Sequence, residues 1–448
     1  MIQPSSQSQG ETAPENVTER ETPAISAAQQ PDKGLLRAFT ALRQRNYRLY
    51  WFGQMISLTG TWMQTVGQAW LVLQLTHSAW QLGLVGALQF LPVLLFSLFG
   101  GVFADRWPKR TVLLITQSAA MIQAFLLFFL LMTHGIQIWH IYVLAMLLGL
   151  MNSLDQPTRS SFVVELVGRD DLPNAVALNS SLVNLARIVG PGIGGIVIAA
   201  TGVTLLFLLN ALSFLAVIVG LALINRHELH AQPQRQSDAP ARQSTWQSLR
   251  EGLSYVGKTP AVLLMIIVVG LVLLFGANFN VFLPLFATNV LHVGATGFGF
   301  LSAANGIGAL IAALWLAWSH QRPTIRRVLV GALIFGVLEV IFAASHIYPL
   351  SLALIAGIGV AETIFGALAI TTVQTISPDR LRGRVTSVYV LSFTGSIPPG
   401  YLLSGWLSSL YGASIALLIC AILCLLTTVI GWEYRKPAEE SMAASLRA

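Results

Sequence analysis

The chain has 448 residues, 54% of them hydrophobic and only 10% charged, with a mean hydropathy of +0.68 and a formal net charge of +7. A soluble protein carries about a quarter charged residues, so a soluble globular enzyme is excluded. The apolar residues come in runs close to the ~20 that a helix needs to cross a bilayer, and such long unalternating runs select helices over a barrel. The first 45 residues are rich in Ser, Gln, Glu and Pro, lack the apolar core of a signal peptide, and predict a disordered tail (1–45).

Hydropathy then predicts twelve spans. Six lie at 48–73, 80–103, 111–133, 138–158, 174–200 and 203–225, forming a first bundle over 46–225. A polar segment, 226–259, follows and ends in Trp246–Val256, whose apolar residues repeat at helical spacing; it predicts an amphipathic helix on the membrane surface. Six more spans, at 260–288, 295–318, 328–345, 349–373, 384–407 and 411–433, form a second bundle over 260–433, followed by a tail, 434–448. Lysine and arginine occupy alternate loops, while the loops around His77, His134, Gly202, His292, His346 and Tyr411 have none. This asymmetry puts both termini in the cytoplasm and assigns the positive charge to topology rather than to nucleic acid. The basic, proline-bearing loop Arg106–Arg110 has a counterpart at Arg322–Arg327, which points to duplicated halves.

Within the spans, polar residues are few and therefore informative. The first span carries Gln54, Ser57, Thr61, Gln64 and Gln68 on one helical face, which must line a cavity or pack against another helix. Asn278 and Asn280, ahead of the helix breaker Pro284, would face it from the other half. Arg187 lies near the midplane, where an unpaired cation costs at least about 2.5 kcal/mol, so it calls for a carboxylate, a helix end or an anionic ligand. Glu362 is the acid best placed to load and release protons, the alternative being a static ion pair. Glu339 is equally deep; Cys420 and Cys424 read as small buried residues. There is no phosphate-binding G-x-x-x-x-G-K-[ST] loop, no Ser-His-Asp set and no intramembrane histidine, so ATP-driven pumping, hydrolysis and haem or metal redox chemistry find no support, and neither an enzyme nor a metal site is expected.

Two motifs carry a resemblance. Gly101-Val-Phe-Ala-Asp105-Arg106-Trp-Pro-Lys109-Arg110 resembles the G-x-x-x-D-R-x-G-R-R loop of the major facilitator superfamily, with Pro108 replacing its second glycine. Gly190-Pro191-Gly-Ile-Gly194-Gly195 resembles the antiporter motif of the fifth helix in the same superfamily, and it also allows close helix packing. With Gln156–Arg159, Asn174-Ala175 and Ser248–Val256, the chain is similar to the branch of enterobactin exporters and macrolide efflux proteins, over residues 46 to about 433. The resemblance implies an all-α membrane protein with twelve transmembrane helices in two pseudo-symmetric six-helix halves. It implies a cytoplasmic gate of Gly101, Asp105, Arg106, Lys109 and Arg110, with Asp155 receiving Arg106 or Arg110, and a substrate cavity lined by Gln54, Thr61, Gln64, Gln68, Arg187, Asn278 and Asn280. The implied function is export of a small amphipathic molecule across the cell membrane by alternating access, with Glu362 coupling it to protons and no other cofactor. The expected partners are the small-molecule substrate and the lipid bilayer, with the chain monomeric. Nutrient uptake and lysophospholipid flipping are the alternatives on the same fold.

Overall fold

The structure, a computed structural model, describes residues 35–230, 245–319 and 323–445. The anticipated tail up to residue 34, linker positions 231–244, and the side chains of Gly101, Asp105 and Arg106 lie outside the described residues. Contacts divide the chain after Ala38, and all that follows concerns the unit beginning at Phe39.

The first six spans are α1 (Arg45–Thr76), α2 (Ala79–Arg106), α3 (Lys109–Met132), α4 (Ile138–Val167), α5 (Leu172–Thr201) and α6 (Val203–Leu223). The linker contributes α7 (Thr245–Lys258). Then come α8 (Pro260–Phe275), α9 (Phe279–Asn289), α10 (Gly294–Ser319), α11 (Ile325–Ala343), α12 (Tyr348–Ile376), α13 (Asp379–Tyr411), α14 (Ala413–Glu433) and α15 (Arg435–Ser445). With α8 and α9 counted as one broken span, twelve long helical segments are described, nine of them apolar enough to cross a membrane by length and composition. Of the other three, α1 and α13 carry more polar side chains, and α11 carries the charges of Arg326, Arg327 and Glu339. At about 1.5 Å per residue, the 32 residues of α1 reach roughly 48 Å, longer than a hydrocarbon core.

Local chemistry sets the ends. On the lysine-free face, α1 stops at His77, whose φ of 51° is left-handed and whose N–H bonds Leu73 O at 2.9 Å. His134 and His292 take the same conformation, one that histidine tolerates better than most side chains. Gly202 (φ 82°) and Gly412 (φ 79°) each join two spans with a single residue, at matching places in the two halves.

Each half packs around its own core, α1 against α5 and α6, and α2 and α3 against α4; in the second half α8 packs on α13, and α12 on α10 and α11. The halves meet along two seams, α2 with α13 and α5 with α10. Glycine makes both close. A Cβ on Gly195 would stand 2.7 Å from Ala295 O and 3.0 Å from the Cα of Gly299. On Gly405 it would stand 2.9 Å from Ala79 O and 3.0 Å from the Cα of Gly83. Ala79, Gly83 and Gly405 on one seam thus match Ala295, Gly299 and Gly195 on the other, the signature of a duplicated unit. All lie toward the lysine-free face. Trp70 of α1 stacks on Phe298 of α10 beside them, with centroids 6.4 Å apart.

Three expectations gain structural detail. The seventh span breaks at Gly276–Asn278 rather than at Pro284, which is accommodated inside α9. Asn278 stabilises the break by donating Nδ2 to Leu274 O (2.8 Å) and Phe275 O (3.1 Å), carbonyls that the end of α8 leaves unpaired. Residues 435–445, expected as a tail, form α15, which packs on α8 and buries Ala438. The linker helix α7 rests on α8 and α13, where Glu251 pairs with Arg384 and Tyr255 Oη donates to Ile376 O (3.4 Å).

Candidate functional site: a central cavity and a charged seam

A cavity of about 430 Å³ lies between the halves. Its blind end is built by Gln68, Gln89, Phe90, Asn280 and Tyr401, below the glycine seams. Its walls run along α1, α3, α4 and α5 through Thr61, Gln117 and Asp155 to the exposed side chains of Gln156 and Ser160. The cavity therefore opens toward the basic face and is closed toward the lysine-free face.

The polar stripe of α1 divides between two jobs. Thr61 and Gln68 line the cavity; Thr61 Oγ1 bonds its own helix at Ser57 O (2.9 Å), and Gln68 Nε2 donates to Gln89 Oε1 (2.9 Å). Gln54 and Gln64 do not line it. Gln54 Oε1 accepts from Arg159 Nη1 (2.7 Å), and Gln64 is enclosed by α3 and α6, donating to Gln123 (3.0 Å) and accepting from Asn210 (2.5 Å). A stripe stepping by three and four drifts little around the helix, yet small lateral offsets decide whether a side chain faces the cavity or the neighbouring helices. Asn278 also lies off the cavity, drawn into the helix break, whereas Asn280 lines it and donates to Tyr401 Oη at 2.6 Å.

Beside the main cavity is a smaller one of about 170 Å³, lined by Trp62, Arg187, Asn280, Phe298, Asn305 and Glu362 among others. Here Arg187 of α5 donates from Nη2 to Asn305 Oδ1 of α10 (2.7 Å), with its guanidinium 5.9 Å from the Trp62 ring centroid. Asn305 Nδ2 has no hydrogen-bond partner among the described residues, and Glu362 of α12 is the acid beside it and within electrostatic reach of Arg187. The half-buried cation and the acid singled out in the sequence thus share one small cavity, with the Asn305 amide bonded to the cation. Arg187 belongs to the first half and Asn305 and Glu362 to the second, so the charged contact spans the two halves.

At the basic face, Lys109 pairs with Glu165 (2.5 Å), and Arg110 donates to Leu221 O (2.6 Å) and Ala222 O (2.8 Å). All three partners lie in the first half, so neither residue latches the halves in this conformation. Asp155 does not receive Arg110. It pairs with Arg159 one turn along α4 and accepts from Thr116 (2.7 Å) and Gln117 (2.8 Å), partners that need no movement of another half. The glycine motif of α5 serves two contacts. Gly190 and Gly194 lie against α1 at Trp62 and Met63, while Pro191 and Gly195 meet α10.

Sequence reasoning missed Arg159, Asn305, Gln89 and Tyr401. Arg159 was visible as a basic residue and was assigned to a loop. Asn305 is a lone amide in an otherwise small-residue span, and Gln89 holds the matching place in the first half, which the repeat alone could have exposed.

Among curated proteins, the chain is similar to a staphyloferrin A transporter of Staphylococcus aureus (26% identical, covering 83% of this chain and 91% of that one). It is also similar to the multidrug efflux pump Tap of Mycolicibacterium fortuitum (28%, 85% and 93%) and the enterobactin exporter EntS of Escherichia coli O1:K1 (27%, 89% and 95%). Among solved structures, a variant of the nucleoside transporter NupG superposes with a TM-score of 0.72 at 13% identity, covering 88% of this chain and 99% of that one, a likeness of fold. The model of the transmembrane secretion effector family matches residues 36–448. With that match over nearly its whole length, the helical chain belongs to the transmembrane secretion effectors, a transporter family of the major facilitator superfamily.

Proposed function

We propose that this protein exports a small amphipathic molecule, siderophore-like or drug-like, in exchange for protons. The observation that carries the reading is the Arg187–Asn305 bond across the α5–α10 seam with Glu362 beside it. The efflux pump and the enterobactin exporter among its relatives support the direction. The distribution of lysine and arginine supports a cytoplasmic basic face, with both termini inside. The cavity then faces the cytoplasm, ready to load, and its volume suits a drug-sized ligand.

In this reading, an ionised Glu362 and the amides of Gln68, Gln89 and Asn280 accept and donate hydrogen bonds to a hydroxyl- or amine-bearing substrate, while Phe90, Tyr401 and Trp62 offer it apolar faces. Loading is followed by closure at the basic face and opening of the glycine seams. A proton arriving from outside neutralises Glu362, removes the acceptor and releases the substrate. Neutral Glu362 also relieves its attraction to Arg187, so the unloaded carrier returns with its proton, which then leaves to the cytoplasm. A differential interaction of this kind is what converts a proton gradient into a shift of conformational equilibrium. The proton is the only cofactor required, and one chain contains the whole pathway.

The test is substrate-induced proton movement in vesicles reconstituted with the purified protein, using macrolides, dyes and catecholate or carboxylate siderophores. One class should collapse an imposed pH gradient, and Glu362→Gln should abolish the coupled flux while leaving the protein folded. Coupled flux that survives Glu362→Gln removes Glu362 from the scheme. Accumulation of the same compound inside intact cells would overturn the direction.

A further inference from the structure

A second cavity, of about 420 Å³, lies at the lysine-free face over the α2–α13 seam. Ala79, whose carbonyl meets Gly405 in that seam, also lines it, so the closed seam lies between it and the central cavity. Both halves build it. Gln74, His77 and Ser78 come from the end of α1 and the turn into α2, Asn289 from the end of α9, and Ser408 and Ser409 from the end of α13. Gln74, His77, Asn289 and Ser409 are exposed, which leaves this vestibule open on the lysine-free side.

Its wall carries hydroxyl, amide and imidazole groups and no Asp, Glu, Lys or Arg. Two helices begin in it, α2 at Ala79 and α14 at Ala413. The first N–H groups of a helix have no partner within it, and together they amount to about half a positive elementary charge. On α2 the Ser78 hydroxyl accepts one of them, from Gln81 N (3.4 Å); on α14 the capping residue is Gly412, which has no side chain to offer. Two such ends in one cavity, with no acid to satisfy them, favour an anion.

An independent observation also points to a ligand. Ser408 is only 6% exposed, and its Oγ is buried with no hydrogen-bond partner among the described residues. It lies one turn beyond Gly405, on the face of α13 that meets α2, and it lines the vestibule. A buried hydroxyl without a partner is costly, and a ligand in the vestibule would supply one. Duplication does not account for these residues. Counted from Gly195 and Ala295, the places of Ser408 and Ser409 hold Ile198 and Ala199 on the α5–α10 seam, and those of His77 and Ser78 hold Val293 and Gly294. The hydrogen-bonding groups are thus peculiar to one seam.

We propose that the vestibule is a second ligand site, for a small hydroxylated carboxylate, reached from the lysine-free face while the seams are closed. The carboxylate accepts from the N–H groups at the start of α2 and α14 and from Ser408 Oγ; the ligand's hydroxyls pair with Gln74, Asn289 and Ser409. That this side is the outside follows from the proposed orientation, but binding requires no transport, so vesicles without proton flux would remove the antiport reading and leave this site in place.

The experiment is a saturation-transfer NMR titration of the full-length protein in nanodiscs of zwitterionic lipid, with gluconate as the probe and glucose as its uncharged counterpart. Gluconate should bind saturably and at least tenfold more tightly than glucose. Ser409→Asp places a fixed carboxylate in the vestibule and should weaken gluconate at least tenfold. Ala199→Asp, at the matching place on the other seam, should change it less than twofold. Ser408→Ala should weaken it severalfold, and it carries the test alone if Ser409→Asp does not fold. Neither Ser408 nor Ser409 lines the central cavity, so gluconate bound there would ignore both variants. Glucose binding as tightly as gluconate, affinity unchanged in Ser409→Asp or Ser408→Ala, or an equal loss in Ala199→Asp overturns the proposal.

Discussion

Replacing Gly405 by alanine puts a methyl carbon 2.9 Å from Ala79 O and 3.0 Å from the Cα of Gly83, both on α2 of the opposite half. Carbon atoms in contact prefer about 3.5–4.0 Å, so α2 and α13 must separate by roughly 0.5–1 Å at this level. The neighbours are backbone and have no rotamer in which to yield. Overpacking of this kind costs about 1–3 kcal/mol, and it falls on the conformation in which the lysine-free face is closed. A conformation with the seams parted does not bear it, so the equilibrium should move toward outward opening by roughly 5- to 150-fold. Both native cysteines are buried, leaving introduced ones to take spin labels selectively. Exposed His134 and His346 report the lysine-free face, and Asp170 and Arg380 the basic face. Pulsed electron resonance on His134→Cys/His346→Cys should give longer distances in the Gly405→Ala background, and Asp170→Cys/Arg380→Cys shorter ones. Gly195→Ala, on the matching seam, should act alike, and the two effects should roughly add because the seams share no partners. Unchanged distances in a folded, monodisperse Gly405→Ala protein would refute the view that these glycines set the closed face.

Arg187→Lys keeps the charge but loses the planar fork that bonds Asn305 over Trp62; at about 1.5–3 kcal/mol for a bond to a charged group, coupled flux should fall at least tenfold with folding intact. Asp155→Ala leaves the largely buried Arg159 side chain (16% exposed) with Gln54 but no carboxylate and should lower stability by about 1–3 kcal/mol in thermal or denaturant unfolding, whereas Asp155→Ala with Arg159→Met should recover most of it. Gly202→Ala and Gly412→Ala force a side chain into positive φ and should each lower stability by about 1–2 kcal/mol, measured as a fall in unfolding temperature.

Most of the fold was legible because the bilayer imposes a length and a composition on every span. The alternation of basic and lysine-free loops likewise needed no tertiary information. Arg187 and Glu362 were legible for the same reason, since an ionisable residue in hydrocarbon is conspicuous wherever it lies. What the sequence could not say is which side of a helix faces a cavity. Gln64 and Gln68 are one turn apart and equally polar, yet Gln64 bonds Gln123 and Asn210 within its own half while Gln68 meets Gln89 at the end of the cavity. The partner of Asp155 was hidden for a different reason. Arg159 is only one helical turn away, and a local pair is easily overlooked when a more distant one has been expected. The break at Gly276–Asn278 was masked by Pro284, the stronger breaker by type, because an end of α8 capped by Asn278 needs no proline at all.

The duplication also explains where the chemistry had to be asymmetric. Gly195 and Gly405 hold matching places on the two seams, as do Gly299 and Gly83. Stepping the same distance back from Gly195 and Gly405 reaches Arg187 on one seam and Ile397 on the other. Stepping six residues forward from Gly299 and from Gly83 reaches Asn305 and Gln89. Both seams therefore carry an amide at this depth, but only the α5–α10 seam opposes it with a cation. On the α2–α13 seam the amide turns to its own half, where Gln89 bonds Gln68. A charge on both seams would leave two guanidinium groups to desolvate at one level of the membrane; a charge on neither would give Glu362 no counter-ion across the interface. With one, the glycines can close the two seams alike, and in the proposed scheme protonation of Glu362 would bias only the α5–α10 seam.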